Sequence, residues 1–321
     1  MTEPGFLPLA LYAGFFVFGF AAVYFAARWL KGRGVTGRDI NKPDEPVLPE
    51  SGGVALLLPL WAFVLGYQVW KGLTLDLIAL ACLATGYALV GFLDDTRNKF
   101  AGKPLSWTAR ALPIAALTAA FAWNYGGSAE GFVGVALFVG IIASFHNTLA
   151  GLNGLEMGLG WLMGLAGVFL LQGTPLFLPA LAFNAMVLGL LAWNVFPAQV
   201  FPGDSGTLLV GVLNAGLIAL TMDARLMAGY ALLFAPHALD LGLKLLTNAK
   251  DITQSRQRPY ALDEEGRIAL PKEAGGRVRY DLAKLLVRLG GPRREGELVL
   301  GLWLVAAGWV AVVFLFLKPF G

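Results

Sequence analysis

Two adjacent carboxylates, Asp94 and Asp95, close an apolar run in Gly91-Phe-Leu-Asp-Asp-Thr-Arg-Asn-Lys99, with Lys103 shortly after. Neighbouring carboxylates repel, and a membrane boundary disfavours them further unless a metal ion or cations offset the charge. A helix end anchored by Arg97 and Lys99 is the plainer alternative. The stretch His146-Asn-Thr-Leu-Ala-Gly-Leu-Asn-Gly-Leu-Glu156 has no basic residue and two glycines that break or loosen a helix. Asn147, Asn153 and Glu156 offer side-chain oxygens to a metal or ligand, and Gly151 and Gly154 let the backbone come close to it. Packing of small residues between helices is the competing use.

Asp204 stands before another apolar run in Phe201-Pro-Gly-Asp-Ser-Gly206, where it is expected to cap a helix N-terminus. A helix start also attracts anions, so the same carboxylate is placed to hold Mg²⁺ against a bound phosphate. Arg256 and Arg258, in Ser255-Arg-Gln-Arg-Pro259, are spaced to grip phosphate or carboxylate oxygens with forked guanidinium groups, or else are solvated topology charges. The histidines, His146 and His237, have no ligand-spaced partner for a metal motif. Cys82 is the single cysteine and lies in an apolar run, which leaves disulfides, zinc clusters and thiol catalysis within one chain without material.

The elements that must position these groups are set by composition. Hydrophobic residues make up 57% of the 321 positions and charged residues 14%, against roughly 25% charged in an ordinary soluble domain. Apolar runs of about 20 residues recur, each long enough to cross a hydrocarbon core as a helix. Ten spans are expected, at 6–30, 52–70, 74–93, 106–124, 130–147, 156–172, 175–194, 205–221, 225–246 and 297–317, giving an all-α polytopic membrane protein with a short cytoplasmic insertion at 247–296 and residues 1–321 as one domain. The first run lacks a positive leader and a cleavage site and is expected to be a retained helix.

With the N-terminus outside, every one of the 24 basic residues except Lys71, Arg225 and Lys318 falls in an inner segment, the asymmetry that sets orientation. Both termini then face out and the candidate chemistry faces the cytoplasm. The net charge of +3 is therefore topological and no sign of nucleic acid. Proline and glycine among the charges of 247–296 predict a hairpin-like insertion, with a surface helix over 281–289.

Asp39-Ile-Asn-Lys42 with Pro49-Glu-Ser-Gly-Gly-Val54, Gly91-Phe-Leu-Asp-Asp95, Asn147-Thr-Leu-Ala-Gly-Leu-Asn-Gly-Leu-Glu156 and Phe201-Pro-Gly-Asp204 together resemble the polyprenyl-phosphate N-acetylhexosamine-1-phosphate transferase superfamily. Within it they are most similar to the dolichyl-phosphate N-acetylglucosamine-phosphotransferase branch of archaea and eukaryotes. The peptidoglycan branch usually carries aspartates where this chain has Ala150-Gly-Leu-Asn-Gly154, and histidines in the last inner loop, where this chain has Arg256-Gln-Arg258. The resemblance implies that Asn147 and Asp204 hold Mg²⁺, with Mn²⁺ as the alternative ion. It implies that Gly151 and Asn153 meet uracil with Ile40 against the base, that Glu50, Arg256 and Arg258 serve the sugar and diphosphate, and that Asp94, Asp95 and Lys103 serve the acceptor phosphate and the reacting centre. The implied partners are UDP-GlcNAc, a polyprenyl phosphate and the membrane, with a homodimer as one allowed assembly. A secondary transporter, with acids near the bilayer midplane, and a CDP-alcohol phosphotransferase, with spaced aspartates on one helix, fit less well, because the acids here lie at span ends and no such series occurs.

Overall fold

The computed structural model describes residues 5–247, 259–271 and 278–317. The apolar runs become helical, that at 225–246 as two helices, since without water the backbone groups must satisfy one another. The helices are α1 (Phe6–Gly32), α2 (Leu57–Lys71, preceded by a 3-10 turn at Gly52–Leu56), α3 (Leu75–Ala101), α4 (Trp107–Tyr125), α5 (Ala129–Phe145), α6 (Leu155–Leu170), α7 (Phe177–Asn194), α8 (Gly203–Ala219), α9 (Ala224–Leu232), α10 (Ala235–Thr247), α11 (Leu282–Gly290) and α12 (Glu295–Leu317). Two short antiparallel hairpins complete the described chain, β1 (Thr36–Arg38) with β2 (Val47–Pro49) and β3 (Ala261–Leu262) with β4 (Ile268–Ala269).

Among the described residues, five helical stretches are long and apolar enough to cross a membrane, or six if α9 and α10, bent by 55° at their junction, form one broken span. The shorter apolar helices α5, α6 and α8 fall below that length. Large apolar side chains such as Phe6, Trp107, Trp123 and Phe316 are exposed along the outer helices, as a hydrocarbon solvent permits. Ser106, Ser128, Asp223 and Asp281 cap α4, α5, α9 and α11 through their side chains.

Two local expectations are corrected. Asp94 and Asp95 do not close their helix: α3 runs on through Arg97 and Lys99 to Ala101 and stops at Gly102, whose φ of +64° ends it. Asp204 is not a cap: α8 begins at Gly203 after Pro202 with no side-chain cap bond, and the Asp204 carboxylate turns toward α4 and α5 instead.

α8 forms the centre of the bundle, buried along nearly its whole length and packed against α3, α5 and α6. Small residues make this possible. A Cβ on Gly91 of α3 would lie 2.4 Å from the backbone of Asp204 and Ser205, so α3 and the start of α8 come together only because position 91 has no side chain.

A candidate phosphotransfer site

The close approach at Gly91 sets the carboxylates of α3 beside the start of α8. Asp94 and Asp95 are 5% and 9% exposed, and being adjacent on a helix they face different partners. Asp94 Oδ1 accepts the Leu105 N–H at 2.5 Å and Oδ2 meets Arg110 Nη1 at 2.8 Å. Asp95 Oδ1 accepts the Asp204 N–H at 3.3 Å, and Oδ2 accepts the Ser51 hydroxyl. Ser51 sits in the left-handed region at φ +65°, local strain of the sort that surrounding structure holds in place at functional sites.

The segments around Glu50 and Asp204 are joined through their backbones. Phe201 N–H donates to the Pro49 carbonyl at 2.9 Å, Gly52 N–H to Phe201 at 2.8 Å and Gly53 N–H to Pro202 at 3.0 Å. Glu50 thus reaches the acidic cluster, and its Oε2 lies 2.6 Å from Lys99 Nζ. Asp95, Glu50, Asn147, Glu156 and Asp204 line one cavity of about 210 Å³.

Arg110 ties the cluster together. From the first turns of α4 its Nη2 meets Asp204 Oδ2 at 2.7 Å while Nη1 holds Asp94, and Asn147 Nδ2 donates to Asp204 Oδ1 at 3.1 Å. Sequence reasoning counted Arg110 only as a topology charge. Its signal was its place inside an apolar span, where an unpaired guanidinium is unfavourable. Lys103, expected at the reacting centre, is exposed between α3 and α4, and no contact joins it to the carboxylates among the described residues. Arg256 and Arg258 lie outside the described residues.

A second cavity of about 100 Å³ brings together Ile40, Asn41, Gly151, Asn153, Glu156 and Phe201. Gly151 and Gly154 have φ of +101° and +84°, values that a side chain would make unfavourable. Ile40, Gly151 and Asn153, expected around one ligand, therefore meet, and Glu156, Phe201 and Pro202 form the wall shared with the acidic cavity. A third, larger groove of about 800 Å³ runs between α4 and α5, lined by Ile114, Ala115, Ala136, Leu137 and Gly140 and ending at Arg110 and Asn147. His146 and His237 are buried with rings 6.2 Å apart and line none of these three spaces.

Among the described residues no three His, Cys, Asp or Glu side chains are arranged to hold a metal by themselves. The donors present are oxygens, with Asn147 and Asp204 in direct contact. Such a set fits Mg²⁺, which is ordinarily bound through one or two carboxylates and completed by substrate phosphates and water.

The profile of glycosyl transferase family 4 matches residues 77–222, which include the α3 carboxylates, Arg110, Asn147, Asn153 and Asp204. A relative from Methanocaldococcus jannaschii, provisionally named a glycosyltransferase, is 30% identical over 275 residues, covering 84% of this chain and 83% of its own. One from Saccharolobus solfataricus, provisionally named a UDP-N-acetylglucosamine–dolichyl-phosphate N-acetylglucosaminephosphotransferase, is 27% identical over 321 aligned positions and 92% of each chain. A phospho-N-acetylmuramoyl-pentapeptide-transferase of Nocardia farcinica is 27% identical over 61% of this chain and 70% of its own.

Proposed function

The chain belongs to glycosyl transferase family 4, and from that premise we propose that it transfers GlcNAc-1-phosphate from UDP-GlcNAc to a polyprenyl phosphate. The observation that carries the reading is a long apolar groove that ends at a guanidinium bridging two carboxylates, the shape required by a lipid with a phosphate head. In the reaction an acceptor phosphate oxygen attacks the β-phosphorus and forms the new P–O bond. The bond from the β-phosphorus to the bridging oxygen breaks, and UMP leaves with that oxygen and its electron pair.

A phosphate monoester has a second pKa near 6, so the acceptor is mostly dianionic at neutral pH and needs little help from a base. The difficulty is like charge meeting like charge, and positioning with charge neutralisation supplies most of the catalysis. Arg110 holds the acceptor phosphate at the groove mouth, exchanging carboxylate oxygens for phosphate oxygens through the same fork. Asp94 and Asp95 orient that cation and the start of α8. Ile40, Gly151 and Asn153 receive the uracil, Glu50 the sugar side of the donor, and Arg256 and Arg258 the diphosphate. Asn147 and Asp204 would hold Mg²⁺, which supplies Lewis-acid neutralisation of phosphate charge when bound, and Mn²⁺ suits the same oxygens.

The reading takes residues 1–321 as one domain with ten crossings, both termini outside and segment 247–296 on the inner face with the active site. Purified protein given labelled UDP-GlcNAc and a polyprenyl phosphate is expected to yield labelled lipid and UMP, with UDP-MurNAc-pentapeptide used far less well. Arg110→Lys keeps the charge but loses the fork and is expected to lower kcat/KM more than tenfold, about 1.4 kcal/mol of transition-state stabilisation. A lysine variant as active as the parent, or a preference for the pentapeptide donor, would sink the respective part of the reading.

A further inference from the structure

The loop between α5 and α6 has no regular structure, yet side chains from distant parts of the chain take up its polar groups. The Gly151 carbonyl accepts from Asn41 Nδ2 at 2.7 Å, and the Gly154 N–H donates to Asn194 Oδ1 at 3.1 Å. Asn153 is held twice, its N–H donating to Glu295 Oε1 at 2.6 Å and its Nδ2 to Asp39 Oδ2 at 2.8 Å. Lys42 closes the ring, with its ammonium 3.2 Å from Asp39 Oδ2 and paired with Glu295 Oε2. Asp39, Asn153 and Glu295 are 5%, 4% and 4% exposed.

We propose that Glu295, the first residue of α12, is with Lys42 a positioning residue of the nucleotide pocket, anchoring the Asn153 N–H and so fixing the Gly151–Asn153 backbone in the shape that receives the donor's base. The inference rests on the donor reading above. Neither Glu295 nor Lys42 lines the cavity where Ile40, Gly151 and Asn153 meet, so both act through the loop. A loop with two positive-φ glycines has many other conformations open to it once its side-chain anchors are lost. A buried carboxylate–ammonium arrangement is weak evidence for stability, because desolvation offsets much of the attraction. Its return here is geometric: the N–H of a loop residue is fixed by a group whose other oxygen is locked on Lys42, and Lys42 is locked on the Asp39 that holds the same asparagine.

The test uses purified full-length protein, with UMP binding by calorimetry and steady-state kinetics with UDP-GlcNAc and a polyprenyl phosphate. Glu295→Ala is expected to weaken UMP binding and raise the donor KM about tenfold or more, as loss of positioning does, with kcat at saturating donor changed less than about threefold and the acceptor KM unmoved. Glu295→Gln keeps an acceptor for the Asn153 N–H and loses only the ion pair, so its UMP affinity should fall between the two. Because it is isosteric, it carries the test if the alanine variant fails to fold. Unchanged UMP affinity in Glu295→Ala, or a fall in kcat as large as the fall in affinity in Glu295→Gln at an unchanged melting temperature, overturns the role. Wild-type protein that binds no UMP overturns the donor reading as well, whereas UMP bound equally by wild type and variants overturns only the assignment to Glu295.

Discussion

The acidic cavity and the base cavity share Glu156, Phe201 and Pro202 as a wall but are held together by opposite means. At the edge of the acidic cavity Asp204 shares one guanidinium with Asp94, which lies just outside it, and Asp95 leans on a hydroxyl and a backbone N–H. Negative charge is left in excess there, and buried carboxylates in excess call for a cation. In the base cavity a ring of hydrogen bonds and ion pairs from the 39–42 segment, α7 and α12 already satisfies the loop. One cavity is shaped before a ligand arrives. On the proposed reading the other exchanges partners when phosphate and metal enter, and so carries the larger share of the chemistry.

The largest effect should come from the partner-exchanging side. Asp204→Asn removes the anionic oxygen that Mg²⁺ prefers and turns an amide N–H toward Arg110 Nη2, which Asp204 Oδ2 now meets at 2.7 Å. Turnover is expected to fall roughly 10³-fold, the range for loss of a preorganised electrostatic group, with the fold intact by circular dichroism. Near-normal turnover at saturating Mg²⁺ would leave this carboxylate a structural tie between α4 and α8, and the contrast between the cavities would collapse.

A smaller effect tests the preformed side. Asn153→Asp replaces the amide that donates to Asp39 Oδ2 at 2.8 Å with a carboxylate, setting two acids face to face beside Glu295. Like charges so placed cannot both ionise without penalty. Loss of the buried bond is expected to lower stability by about 1–3 kcal/mol in a denaturation series, with UMP affinity weakened about tenfold. An aspartate variant as stable as the parent and binding UMP as well would show that the ring does not shape the pocket.

How much of this was legible in the sequence depended on whether a group's partners were near it in the chain. Apolar runs fixed the helices because the period and length of a run are local properties. Gly151, Asn153, Asn147 and Asp204 were singled out by their own chemistry, glycines that loosen the backbone and side-chain oxygens at span ends, and Ile40 by motif resemblance alone. The helix past Asp95 was missed because Arg97 and Lys99 look like a boundary, although water at a helix end tolerates them in helical form. The cap at Asp204 was misread because Asp before an apolar run is the usual cap signal, and nothing local shows that Arg110 and Asn147 compete for its oxygens. Arg110 and Glu295 were missed for a related reason. Their partners lie 16 and 142 residues away in the chain, and only the packing of α4 on α3 and the position of α12 bring them together.

The smallest expected effect concerns the groove, which differs from both polar cavities in having shape but almost no charge. Gly140 lines it between α4 and α5, and an added Cβ there meets nothing within 4 Å. Gly140→Leu should therefore fold, place a branched side chain in the groove and compete with a lipid tail for that space. An open groove lets the tail shift aside, so the expected result is a several-fold rise in KM for polyprenyl phosphate, about 1 kcal/mol. The donor KM and UMP affinity should stay as they are, because the base cavity is held by its own ring and, among the described residues, shares no lining residue with the groove, whose end at Asn147 meets only the acidic cavity. A short-chain acceptor that does not reach Gly140 should be used equally by parent and variant. An acceptor KM that does not move with the long-chain lipid would take the tail out of this groove, and a donor KM that rises with it would show that the two sides of the site are not mechanically separate.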